Sequence, residues 1–189
     1  MKPVFVLYQS KYGATKKYVD MLAARLPCDC MEANSFRGNS LDAYDWIVYA
    51  AGIYASGISG LKRFLQKCAG LDHRKIVVFC VGASPYEEKA LSEIKAHNLK
   101  AEWSDIPVFY GRGAWEESRM SWKDRTLCKM LQKAVAKQDP ASFEPWMKAL
   151  LEAAGQSCDW TDPGYLAPLL RHIQADRYSV PPSGGETHV

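Results

Sequence analysis

The apolar positions of this chain fall in short, nearly continuous runs, separated by stretches where they recur every three or four residues. Val4-Phe5-Val6-Leu7-Tyr8 has the length and β-branched content of a buried strand and stops abruptly at Gln9. Tyr18, Leu22 and Leu26 then recur at helical spacing. A weaker second strand reads over residues 28–33, before a polar turn through Gly38 and Asn39. Residues 45–51 form a third, buried strand ending at Gly52, and residues 60–68 a helix. The clearest strand covers 75–81 and ends at Gly82, and Pro85 opens a helix running towards His97. Residues 106–110 are a shorter fifth strand, whose Pro107 marks an edge or an early position. Apolar strands alternating with helices predict an α/β fold with a parallel sheet covered on both faces. Five such strands take the doubly wound order 2-1-3-4-5.

Beyond Tyr110 the rhythm changes. Residues 111–121 read as a loop bearing arginine and tryptophan, followed by a helix with Leu127, Met130, Leu131, Ala134 and Val135 on one face. Residues 137–142 are polar and loop-like, and 144–154 a short helix closed by Gly155. Asp162-Pro163 is a helix start in the expected cap order, with Tyr165, Leu166, Leu169, Leu170 and Ile173 as its buried stripe. Residues 1–175 therefore make one domain without repeats. Residues 176–189 make a tail that reads as disordered, with Pro181-Pro182 and Gly184-Gly185 in its last part.

Composition narrows the class. The chain has 189 residues, 48% of them apolar, enough for one domain with a sizeable core. A net charge of +3 without a basic tract argues against nucleic acid. Six cysteines with no signal peptide ahead of the first strand read as reduced, mostly buried thiols of a cytoplasmic protein. Cys28-x-Cys30 shares a strand face, but no second cluster completes a metal site. His73, His97 and His172 lack ligand spacing, and no apolar run is long enough to span a bilayer.

The strongest chemical signal follows the first strand. Ser10-Lys11-Tyr12-Gly13-Ala14-Thr15 is a short polar loop with one glycine feeding a helix, which points several backbone amides at one spot at the positive end of a helix dipole. It has neither the three glycines of a dinucleotide fingerprint nor the lysine close of a P-loop, so a single phosphate is its natural ligand. In an open α/β sheet the ligand lies beyond the carboxyl ends of the strands. Three further loops meet there. Gly52, Ile53, Tyr54, Ala55, Ser56 and Gly57 combine close backbone approach with a ring; Ser84 and Tyr86 follow the fourth strand; Gly111, Arg112, Gly113 and Trp115 follow the fifth. One phosphate subsite with several aromatic, glycine-bearing loops suits a mononucleotide with a large planar ring, such as flavin mononucleotide (FMN). Taken singly, each feature has an ordinary reading: Tyr54, Tyr86 and Trp115 as packing, the glycines as turns, Ser10 and Thr15 as helix caps. Their coincidence at one sheet edge favours the ligand.

Ser10-x-x-Gly13-x-Thr15 resembles the phosphate loop of flavodoxins, and Gly52-Ile53-Tyr54-x-x-Gly57 their flavin-stacking loop. Gly111 to Trp115, followed by Ser118-Arg119, Trp122 and Asp124-Arg125, resembles the C-terminal part of flavodoxin-like, FMN-dependent protoporphyrinogen oxidases, as does Asp159-Trp160-Thr161-Asp162. The likeness runs from Pro3 to Gln174. It implies a flavodoxin-like fold, bound FMN and flavin-mediated electron transfer or dehydrogenation of a small molecule, with protoporphyrinogen IX as one candidate substrate. The long insertion that such oxidases carry after the fourth strand is missing, and the chain lacks the acidity of carrier flavodoxins.

On this reading Ser10 and Tyr12 to Thr15 hold the phosphate, and Lys11 adds an exposed charge. Tyr54 to Gly57 border the ring, while Ser84, Tyr86 and Gly111 to Trp115 close the other side. Arg112, Arg119 and Arg125 are able to bind a carboxylated substrate, although a solvated loop with Asp124 pairing one arginine is the plainer expectation. Trp115 and Trp122 suit either packing or contact with a membrane surface. A phosphoacceptor domain would need acids after the first and third strands, where this chain has Tyr8-Gln9-Ser10 and Ala50-Ala51-Gly52. A flavin-free binding module is the remaining rival, opposed by the intact Ser10, Gly13 and Thr15.

Overall fold

The computed structural model describes residues 4–37 and 41–178; the turn expected at Gly38 and Asn39 and the last part of the expected tail, 179–189, lie outside them. Five strands, β1 (Val4–Gln9), β2 (Cys28–Glu32), β3 (Trp46–Tyr54), β4 (Ile76–Gly82) and β5 (Val108–Arg112), pair in parallel in the order β2-β1-β3-β4-β5. This is the expected doubly wound order, with the proline-led strand at the edge.

The period of two in the strands sorts the core into two layers. Phe5, Leu7, Ile47, Tyr49, Ile76 and Val78 face α2 (Leu61–Lys67) and α3 (Glu88–Asn98). Val4, Val6, Val48, Val77 and Phe79 face α1 (Ala14–Ala23) and α6 (Ala167–Tyr178), which bring Tyr18, Val19 and Leu22, and Leu169 and Ile173. A third, smaller core gathers Trp115, Val135, Leu150 and Ala153 from β6 (Ala114–Glu116), α4 (Trp122–Val135) and α5 (Pro145–Glu152). β6 pairs antiparallel with β7 (Ser157–Asp159).

Several boundaries differ from the sequence reading. The fourth helix-strand unit is shifted: α3 begins at Glu88 rather than Pro85, because Tyr86 lies in the preceding loop and Glu87 is still extended at φ −144°. Gly111 and Arg112 belong to β5, and the expected loop of 111–121 contains β6. Among the expected α4 stripe only Val135 is buried; Leu127, Met130 and Leu131 are exposed. The helix is rotated by polar contacts at its first turn, so the side carrying Asp124, Cys128 and Val135 turns inward. Of the six free cysteines only Cys68 and Cys80 are buried, while Cys28 and Cys30 share a face with their sulfurs 3.5 Å apart. No described helix is long and apolar enough to cross a membrane, and the described residues contain no cluster able to hold a metal ion.

The third strand also overruns its expected end. It continues through Gly52 and Ile53 to Tyr54 and turns back into a two-residue strand, Gly57–Ile58. The turn residues Ala55 and Ser56 have φ of 47° and 64°, a conformation that matches hairpin twist but disfavours side chains with a Cβ. Asn98, at the end of α3, compensates. Its amide nitrogen donates to the Ser56 carbonyl at 2.7 Å, and its side-chain oxygen accepts from the Ile58 amide at 2.8 Å. Asn98→Ala is expected to cost about 1–2 kcal/mol, lowering the Tm by about 2–8 °C in a thermal melt. An unchanged Tm would mean that the turn holds itself.

Candidate functional site

The loop between β1 and α1 is shaped by one glycine and one serine. Gly13 has φ +96°, and a Cβ there would meet nothing within 4 Å, so the backbone borders open space. Ser10 Oγ accepts hydrogen bonds from the Gly13 and Lys16 amides at 3.2 and 3.3 Å, which curls the loop and leaves the serine proton free to donate. The amides of Tyr12, Ala14 and Thr15 make no hydrogen bond among the described residues. Thr15 is 4% exposed, and its hydroxyl likewise has no described partner. Converging amides and hydroxyls without partners, at the N-terminus of a ten-residue helix, are the donor set that a phosphate requires.

The ends of β3 and β4 stand beside this loop. Tyr54 closes β3 at the base of the strained turn, opposite Gly57, and is 47% exposed. Past β4, the Ser84 carbonyl accepts from the Tyr110 hydroxyl at 2.6 Å, and the exposed Tyr86 ring lies 6.2 Å from that of Tyr110. Gly82 is required here, since a Cβ would stand 2.8 Å from the same hydroxyl.

The chain leaving β5 then crosses the sheet edge. The Gly113 amide donates to the Gly82 carbonyl at 2.7 Å, and a Cβ at this position would stand 2.8 Å from Val81 and 3.3 Å from Ala14. This path brings the first turn of α4 onto the phosphate loop. Asp124, 6% exposed, accepts from the Lys11 ammonium and the Tyr12 hydroxyl, and at 2.9 Å from the Tyr54 hydroxyl. Ser121 and Asp124 have the spacing of a capping box, in which the acid would normally accept from the Ser121 amide. Here that amide donates to the Tyr12 hydroxyl at 3.1 Å, while Ser121 Oγ accepts from the Asp124 amide at 3.3 Å. The Tyr12 hydroxyl is thus inserted into the cap.

These partners set the charges. The Lys11 bond, then those of Tyr12 and Tyr54, hold the Asp124 carboxyl down at about 2, and the same bond raises Lys11 above the usual lysine range. A depressed carboxyl contributes stability that is fully present above its ordinary value near ~3.9 and is lost as pH falls through its folded value. The raised lysine sets the other limit, above pH ~10. The Tm difference between the protein and its Asp124→Asn variant is therefore expected to be constant from about pH 5 to 8 and to vanish near about pH 2. A difference that changes between pH 5 and 8 would assign the effect to another group.

Lys11 is exposed, as expected, and pairs with Asp124. One expectation is corrected here: Asp124 pairs with Lys11 rather than with an arginine. Each arginine is engaged elsewhere: Arg125 with the carbonyls of Glu117, Ser118 and Met120, Arg119 with Glu116 at 3.6 Å, and Arg112 through Nε with the Ala83 carbonyl. The Arg112 guanidinium also lies 4.1 Å from the centre of the Trp160 ring, and these two line an open cleft of about 560 Å³ with Asp162, Gly164 and Tyr165.

The structure thus gathers Ser10 to Thr15, Tyr54 and Gly113 at one place. Gly52 and Ile53 lie within β3, Ala55 and Ser56 form its turn, Gly57 opens the return strand, and Ser84 and Tyr86 stand past β4. Gly111 lies in β5 under the rings of Tyr18 and Phe79, and the Trp115 ring packs into the third core. Asp124 was missed as a site residue. The Ser-x-x-Asp spacing marks a helix start, but nothing local shows which loop the carboxylate reaches.

A family model for the flavodoxin domain matches residues 5–142. No curated protein matches the sequence. Similar solved structures include the Trp repressor binding protein from Bacillus subtilis, 14% identical, with a TM-score of 0.44 over 59% of this chain and 85% of that one. Another is a flavoprotein in complex with FMN from Lactobacillus acidophilus NCFM, 16% identical, with a TM-score of 0.41 over 59% of this chain and 93% of that one.

Proposed function

The chain belongs to the flavodoxin domain family, and from that premise we propose that it binds FMN and works in flavin-mediated redox chemistry. The observation that carries this reading is the open cradle at Gly13, with the unpartnered amides of Tyr12, Ala14 and Thr15 and the Thr15 hydroxyl beside it. These groups would hold the phosphate, with the Ser10 hydroxyl as a further donor. Tyr54 would flank the ring, and the backbone of Gly52 to Gly57 would line its edge. FMN when bound supplies one- and two-electron redox chemistry. The residues of this chain bind it, orient it and exclude water from part of its surface. None of them is placed as an acid or a nucleophile.

The test is an absorbance spectrum of the purified protein before and after incubation with FMN and gel filtration. A retained flavin band at a 1:1 ratio supports the reading. No retained flavin would turn the function towards a binding module on the same fold.

A second reading is a porphyrinogen dehydrogenase. The cleft at Arg112 and Trp160 favours it, because a guanidinium beside aromatic rings suits a carboxylated macrocycle. The short connection from Gly82 to Glu88 leaves no room for the insertion that such enzymes carry. Oxidation of a porphyrinogen by the FMN-loaded protein separates the two readings.

A further inference from the structure

Asp124 and Thr15 are the buried polar or charged residues among the described ones. Asp124 has no partner in its own helix for its carboxylate. A buried carboxylate without pairing is costly, so its place is explained by the groups it meets. Those groups come from two separate loops, 113, 112 and 70 residues away in sequence. Lys11 and Tyr12 belong to the phosphate loop; Tyr54 is the last residue of β3, beside the strained turn. The Lys11 ammonium also stands 5.4 Å from the ring centres of both tyrosines, which closes the cluster into one unit.

We propose that Asp124 is a positioning residue for the flavin site: one carboxylate on α4 ties the phosphate loop to the Tyr54 turn and fixes the ring of Tyr54 by its hydroxyl. The proposal rests on the reading that this site binds flavin. Its physical basis is that Tyr54 is the last residue of β3, next to a two-residue turn, and is half exposed, so its ring has little packing of its own to orient it. Asn98 holds the turn's backbone from one side, and Asp124 holds the phenol from the other. The diverted capping box agrees with this role. The usual partner of the carboxylate, the Ser121 amide, is satisfied by Tyr12, which frees Asp124 to reach outward. A flavin ring meeting a fixed tyrosine loses less entropy of ordering than one meeting a mobile side chain.

The test measures the Kd of FMN and of riboflavin, which lacks the phosphate, for the full chain and for Asp124→Ala, Asp124→Asn, Tyr54→Phe and the Asp124→Ala/Tyr54→Phe pair. Asp124→Ala is expected to weaken FMN about 10-fold or more, the range of a charge-assisted hydrogen bond. Riboflavin should weaken as well, because the effect reaches the ring through Tyr54 and not the phosphate loop alone. The double variant should be no weaker than Asp124→Ala by more than about threefold, since coupled residues are not additive. Asp124→Asn keeps an acceptor for Tyr54 and should recover most of the loss. If Asp124→Ala does not fold, as read by circular dichroism, Tyr54→Phe decides: it removes the same bond and should weaken FMN and riboflavin alike, and wild-type affinity for both would overturn the proposal. Additive effects, wild-type affinity in the variant, or a loss confined to FMN would overturn the proposal while leaving flavin binding intact. A wild-type protein that binds neither flavin would overturn the functional reading, and this proposal with it.

Discussion

Gly13→Val is expected to strip the protein of flavin while leaving it folded. At φ +96° a β-branched residue is forced into a conformation it rarely adopts, at a cost of about 1–3 kcal/mol. No atom lies within 4 Å of the new Cβ, so strain rather than collision sets the cost to the fold. The chain can relieve that strain only by rotating the peptide units on either side. Those same units carry the Gly13 amide, whose bond to Ser10 Oγ curls the loop, and the Ala14 amide, so both the curl and the Ala14 donor would be displaced. The valine methyls also enter the open space that the glycine borders. The expected outcome is FMN affinity lower by about 100-fold or more, the scale of losing two or more hydrogen bonds to a charged group. The accompanying fall in Tm should be about 2–12 °C. Absorbance after gel filtration, beside a thermal melt, checks both. Unchanged flavin occupancy in the folded variant would sink the placement of the phosphate.

The second large effect concerns stability. Gly111→Ala places a Cβ 2.7 Å from Phe79 Cζ and within 2.9 Å of two Tyr18 ring atoms. The two rings meet edge to face with centres 5.1 Å apart, in the core layer under α1 and α6. Neither ring has room to withdraw. Tyr18 donates to the Arg112 carbonyl at 2.6 Å and accepts from the Asp162 amide at 3.2 Å, so moving it breaks the link between β5 and the 3-10 turn that leads into α6. Burial also pushes the Tyr18 hydroxyl up to about 12, which keeps it a neutral donor across the working pH range. A single methyl is therefore expected to cost about 3 kcal/mol, the upper part of the usual range for overpacking. In a chain of this size that is a fall in Tm of about 6–12 °C. A change below about 2 °C would show that β5 can shift outward at the sheet edge.

Gly111 also shows how a residue type misleads when read locally. In sequence it heads a glycine-arginine-glycine stretch that resembles a ligand loop. In the structure it is the place where two aromatic side chains from α1 and β4 need the backbone to come close. Trp115 follows the same pattern, since its ring belongs to a core built with residues 20 to 40 positions later, and no window around it contains them.

By itself the sequence determined the five parallel strands and their order, the inward faces of α1 and α6, and the loop at Ser10 to Thr15. All of these rest on periodicity, length and turn chemistry within about a dozen residues, where each side chain's environment is set by its neighbours along the chain. Only the tertiary structure decided where β3 ends, which face of α4 turns inward, and that a carboxylate on that helix closes over the phosphate loop. The run into Tyr54 is prolonged by a return strand and steadied by Asn98 from another helix. The stripe of Leu127, Met130 and Leu131 predicts one buried face of α4, but polar contacts at its first turn select a different one. The bond between Lys11 and Asp124 joins residues 113 positions apart, and no local spacing encodes it. It exists because the crossing of residues 113–121 over the sheet edge brings them together.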